Sequence, residues 1–176
     1  MKKSIVLFVA IAMMAGFSAK VNAQATENTA AAAKIVTPIA ITETSPLHFG
    51  TMAVLAGNGG TCVLSTEGIR SQTAGVNLSA QTPTASNAAY DVSGAVSTTY
   101  AITLPASITV NGSGAGVQMI INNLLARTAS AGANGLIGTL SEVGTDNFTV
   151  GGTLNVDAGQ EADVYTGTFD VTVAYN

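Results

Sequence analysis

The feature that most restricts how this chain can fold is a two-residue rhythm near its carboxyl end. Residues 165–175 read Y-T-G-T-F-D-V-T-V-A-Y. Tyr165, Gly167, Phe169, Val171, Val173 and Tyr175 share one parity, and Thr166, Thr168, Asp170, Thr172 and Ala174 share the other. Successive strand side chains point to opposite faces, so the pattern predicts a strand with one face on a core and the other in water. The expected core face is Tyr165, Phe169, Val171, Val173 and Tyr175.

The segment before it keeps the same rhythm. Phe148, Val150, Gly152, Leu154 and Val156 alternate with Asn147, Thr149, Gly151, Thr153 and Asn155. A Gly-Gly pair can close a hairpin. Parity that runs unbroken through the glycines instead favours one long strand bent at Gly151-Gly152. Upstream, short alternating runs are separated by turn signals such as G-N-G-G at 57–60 and N-G-S-G-A-G at 111–116. In 61–66, Cys62 and Leu64 share a face, and in 98–104 so do Tyr100, Ile102 and Leu104. Residues 117–125, V-Q-M-I-I-N-N-L-L, fit a strand or a short helix, and their Gly-rich flanks favour a strand. In 34–43, Ile35, Ile39 and Ile41 share parity, while Pro38 cannot donate to a ladder and marks an edge strand or a sheet switch. With no amphipathic helix, the expected fold is all-β: an antiparallel sandwich of roughly eight or nine short strands.

Residues 1–23 read as a secretory signal: Lys2 and Lys3, an apolar run too short to span a membrane, and Val21-Asn22-Ala23 as cleavage site. Residues 24–33 then form a polar, Ala-rich extension, and 34–176 the sandwich domain. Localisation follows as exported: periplasm, cell surface or extracellular space, with no membrane span after signal cleavage. What remains carries Lys34, Arg70 and Arg127 against ten acidic residues, a formal net charge of −7. That balance argues against nucleic acid and anionic membranes, which need basic patches. Cys62 is the only cysteine, so no internal disulfide is available.

No set of residues carries chemistry. His48 is the only histidine and alternates with Leu47 and Phe49, so it should face solvent without triad or zinc partners. Cys62 reads as a buried structural thiol. Asp157, Glu161 and Asp163 surround one turn; they lack the ordered spacing of a calcium loop and read as a solvated acidic turn. Glu67 and Arg70 flank a turn in E-G-I-R, as a local ion pair rather than an anion site. Seven aromatics follow the signal, and Phe49, Tyr100, Phe148, Phe169 and Tyr175 fall on predicted inward faces. That leaves little exposed ring surface for a sugar platform. The expectation is no catalytic residue, no cofactor and no metal.

The ending 148–175, together with P-I-A-I-T and L-H-F-G within 38–50, G-I-R at 68–70 and Y-A-I-T-L-P at 100–105, resembles an uncharacterised exported bacterial family labelled as a domain of unknown function. The alternating last stretch with Tyr175 is also similar to spore-coat-U-like proteins and chaperone–usher pilins. That resemblance implies an immunoglobulin-like subunit of a surface fibre or coat, polymerised when an N-terminal extension completes a neighbour's sheet. Its partners would be copies of itself or a periplasmic chaperone, and the donor or first strand would include Ile35, Ile39 and Ile41. The alternative is a self-contained secreted or surface binding module, an adhesin.

Overall fold

The computed structural model describes residues 24–114 and 117–176. The expected signal at 1–23 lies outside them. The chain divides into Met1–Ile35 and Val36–Asn176. Within the first unit, residues 24–35 have no regular structure and every side chain is exposed. The second unit is built from strands alone among the described residues. They are β1 (Ala40–Ser45), β2 (Met52–Val54), β3 (Gly60–Leu64), β4 (Arg70–Ala74), β5 (Val76–Leu78), β6 (Ala88–Ser93), β7 (Thr99–Thr103), β8 (Ser107–Asn111), β9 (Gln118–Thr128), β10 (Ala133–Asn134), β11 (Ile137–Thr139), β12 (Thr145–Val156) and β13 (Thr172–Tyr175). All pairings between them are antiparallel.

β12 is the spine. One edge pairs with β9 along most of its length. The other pairs with β6 over its first half and with β3 over its second. β1 then flanks β6, β4 flanks β3, and β8 and β10 flank β9, giving the large sheet. The opposing layer is a three-stranded sheet ordered β11-β7-β13 and a small β2-β5 pair. The expected all-β sandwich is what forms, with more and shorter strands than the periodicity resolves.

The alternation of β12 runs unbroken through its glycines: Phe148, Val150, Gly152, Leu154 and Val156 are all buried on one face. The irregularity sits in its partner. Between Gly151↔Leu125 and Thr153↔Asn122, β9 carries one extra residue, and Asn123 takes φ +50° to accommodate it. Asparagine tolerates that left-handed conformation better than most residues. Gly151 is required for a different reason. A β-carbon there would lie 2.3 Å from the Leu64 carbonyl oxygen, where the chain leaving β3 crosses over β12.

β12 also joins the two halves of the core. Leu154 and Val156 pack with Phe49, Cys62, Leu64, Val76, Ile108 and Ile121. Phe148 and Val150 pack with Tyr90, Val92, Tyr100, Ile102 and Leu140. The Tyr90 and Phe148 rings stack with centroids 5.0 Å apart, an arrangement adding about 0.5–1.5 kcal/mol beyond area burial. Tyr100 is fully buried, and its hydroxyl donates to Asp146 Oδ2 at 3.0 Å. The same carboxylate accepts from the Ser130 hydroxyl at 2.6 Å, so one side chain ties both layers to the β9–β10 turn.

Two expectations need correction. Residues 165–175 do not form one strand. Thr166 bridges Asn111 at the end of β8, whereas Thr172–Tyr175 pairs with β7 in the opposite layer. The chain crosses between layers from 167 to 171, and Gly167 allows it to pass against β8, where a β-carbon would lie 2.5 Å from the Thr109 carbonyl oxygen. Glu67 and Arg70 do not form their local pair: Glu67 meets Arg127 at 3.2 Å.

Candidate functional site

Five of the residues expected to matter, Ile39, Ile41, Val171, Val173 and Tyr175, pack against one core cluster near the first and last strands. β1 pairs with β6 from Ala40↔Ser93 to Ser45↔Ala89, with a bulge between Glu43 and Ser45. Ile39 and Ile41 are half-buried against the cluster around Tyr100 and Phe148. Both therefore lie at home, in the chain's own sandwich, while Ile35 is 97% exposed. On the last stretch, Tyr165 and Phe169 pack against the cluster around Phe49 and Leu154, and Val171, Val173 and Tyr175 against the other. The alternation is real, but all five are half-buried rather than enclosed. They lie at the margin of the two core clusters.

Tyr175 fastens this margin. Its hydroxyl accepts from the Ala95 amide at 2.6 Å and donates to the Thr37 carbonyl at 2.7 Å. The last strand thus holds both the turn after β6 and the lead into β1. Gly94 must be glycine for this contact, since a β-carbon there would lie 2.2 Å from the Tyr175 hydroxyl oxygen.

The hydrogen-bond pattern shows which backbone groups remain open. In antiparallel pairs, bonded and non-bonded residue pairs alternate. The Asn176 amide donates to the Thr99 carbonyl, so the bonded positions continue at Ala174↔Ala101 and Thr172↔Thr103. Val173 and Tyr175 then turn their N–H and C=O groups away from β7. The Ile102 amide, opposite Val173, agrees: it donates to Leu136 on the far side of β7. Among the described residues no strand pairs with that outer edge of β13. Edges of this kind are normally blunted by charge, proline or bulges. β1 has a charge and a bulge within its length, in Glu43 and the irregularity at 43–45, with Pro38 two residues ahead, whereas β13 has none within its length and Asp170 two residues ahead.

The other candidates resolve into structural roles. His48 is half-buried rather than exposed. Its Nδ1 accepts from the Gly50 amide at 2.8 Å, and its backbone exchanges hydrogen bonds with Ser86. Cys62 is fully buried; burial pushes its thiol pKa up, with the Arg70 charge opposing from the neighbouring strand. Asp163 caps the loop at 112–114: its carboxylate accepts from the Ser113 hydroxyl and amide, which hold its pKa below the ordinary 3.8. Asp157, Glu161 and Asp163 do not converge, and no group of three metal-ligating side chains occurs among the described residues.

Arg70 has a role the sequence did not disclose. Its guanidinium donates to the carbonyls of Phe49 at 3.0 Å, Thr51 at 3.1 Å and Ser79 at 2.7 Å. It closes two loops over the end of the sandwich, and Gly50, at φ +75°, passes beneath it where any β-carbon would collide. The one signal was rarity, since Arg70 is one of three cations after residue 23.

A search among curated proteins finds no match. A family profile does match, over residues 39–175, which takes in both edge strands and the whole core. The chain belongs to the family described as domain of unknown function DUF4402.

Proposed function

We propose that this chain is a non-enzymatic structural subunit of an exported bacterial fibre or coat, in which copies associate through the open edge of β13. The carrying observation is that edge: outward-turned backbone groups on Val173 and Tyr175, over half-buried Val171, Val173 and Tyr175, with no charge, proline or bulge within the four residues of the strand. Such an edge suits β-augmentation, in which main-chain bonds supply pairing and alternate side chains fill the adjoining groove. The donor is narrowed by the same geometry. Ile39 and Ile41 are packed on their own core, so the donor is the exposed segment 24–35, with Ile35 as its apolar anchor. A periplasmic chaperone would shield the same edge before assembly.

The second reading, a self-contained surface binding module, is favoured by β1 lying paired to β6. Electron microscopy of residues 24–176, with disulfide trapping between Ile35→Cys and Thr172→Cys, separates the two. Fibres or intermolecular crosslinks support the subunit. Monodisperse, uncrosslinked monomers at high concentration support the module.

A further inference from the structure

The outward face of the large sheet carries a concave polar trough that neither the edge nor the core explains. Two hollows of about 410 Å³ each share Asn147. Direct cross-strand register places Thr42, Asp91 and Asn147 in one row across β1, β6 and β12. The next row holds Ala89, Thr149 and Arg127 across β6, β12 and β9. Ala89 keeps the floor low. One end is closed where residues 65–66 cross Gly151. That wall is fixed, because the Thr66 carbonyl accepts from Thr149 Oγ1 at 2.7 Å and from Asn87 Nδ2 at 2.8 Å. The Glu67–Arg127 pair stands beside it.

The chemistry of the trough is specific in what it offers. Among the described hydrogen bonds, the Asn147 carboxamide, the Asp91 carboxylate and the Thr42 hydroxyl engage no partner. Arg127 and Glu67 meet through one nitrogen and one oxygen, leaving donors and acceptors on both. These groups are mostly short side chains on paired strands, so little rotamer freedom is lost when a ligand orders them. Sites built on strands also hold their geometry better than sites on loops. An apolar ligand would strip water from the Asp91 carboxylate and the Asn147 carboxamide without giving either a partner. A peptide strand finds no open backbone, since β6, β12 and β9 are paired on both sides. An anion meets three carboxylates, Asp91, Asp146 and Glu67, for one guanidinium. A chain of neutral hydroxyls, which both donate and accept, fits all three constraints.

We infer that this trough, centred on Asn147 with Asp91, Thr149 and the Glu67–Arg127 pair, binds a neutral glycan. The site is independent of the β13 edge, so it can stand or fall apart from assembly. The test is amide-shift mapping of ¹⁵N-labelled residues 24–176 with cellohexaose, chitohexaose, maltohexaose and mannohexaose, and with an oligogalacturonate as anionic control. At least one neutral oligosaccharide should give saturable shifts centred on Asp91, Asn147, Thr149 and Arg127, with a dissociation constant of about 1 mM or tighter. Asn147→Ala and Asp91→Ala, both exposed positions, should each weaken it roughly tenfold with the rest of the spectrum retained. The inference is overturned if no neutral probe shifts that set saturably, if the shifts centre elsewhere, if the variants bind as well, or if the galacturonate binds equally tightly.

Discussion

Arg70 shows how much of this molecule hangs on single polar side chains. With no disulfide and few charges, the loops at 49–51 and 79 are joined by one guanidinium donating to three carbonyls, beside a direct bond from the Ser79 amide to the Thr51 carbonyl. Arg70→Met leaves the Phe49 and Ser79 carbonyls without that donor, while Thr51 keeps the Ser79 amide, and should cost about 1–3 kcal/mol, read as a lower urea midpoint. Arg70→Lys should recover less than half of that, because an ammonium lacks the planar fork that spans three acceptors. Tyr90 gives a second test at the same scale. Burial, and then the Glu43 charge, push its pKa from 10.0 up to about 12. The folded state therefore favours the neutral phenol. Its stabilising contribution is complete below pH 10.0 and is lost as pH rises toward about 12. Tyr100 moves in the same direction through burial and its Asp146 partner. Alkaline titration should show tyrosinate absorbance rising together with loss of the β-sheet circular dichroism signal. Tyr90→Phe should move that transition to higher pH.

At the scale of elements, the margin between β1 and β13 is the part most open to adjustment. Tyr175→Phe removes two hydrogen bonds, to Ala95 and Thr37, while keeping the ring. It should cost about 1–2 kcal/mol and speed amide hydrogen exchange in β1 well before β12 is affected. The sequence made some of these elements plain and hid others for physical reasons. β12 was legible because both of its faces are sharply contrasted, Phe148, Val150, Leu154 and Val156 against Thr149, Thr153 and Asn155. β4 was not, because R-S-Q-T-A has no large apolar residue and no alternation, and its assignment rests on pairing with β3 rather than on burial. Residues 165–175 were half legible: parity names the inward side chains, but the layer crossing depends on where β8 and β7 lie. The roles of Arg70 and of the Tyr175 hydroxyl were hidden because their partners are backbone carbonyls far along the chain, which carry no residue-type signature.

For the whole molecule, stability and assembly should separate cleanly between the two units. Every residue of both core clusters, and every side chain packed against them, lies between Ile39 and Tyr175. Residues 24–35 are exposed and add almost nothing to the surface newly uncovered on unfolding. A chain of residues 36–176 should therefore keep the urea midpoint and slope of residues 24–176, since the slope follows that surface. It should lose the fibres and the Ile35–Thr172 crosslinking partner together. Val173→Pro in residues 24–176 gives the complementary lesion. It deletes an amide that points to the open edge, not one bonded to β7, so it blocks strand addition while keeping every bond to β7, at the cost of part of the Val173 packing. Loss of assembly in both chains places the donor in 24–35 and the acceptor on β13. Assembly that survives the truncation but not the proline means that two β13 edges pair with each other. Assembly that survives both means that copies meet elsewhere, and the edge proposal fails.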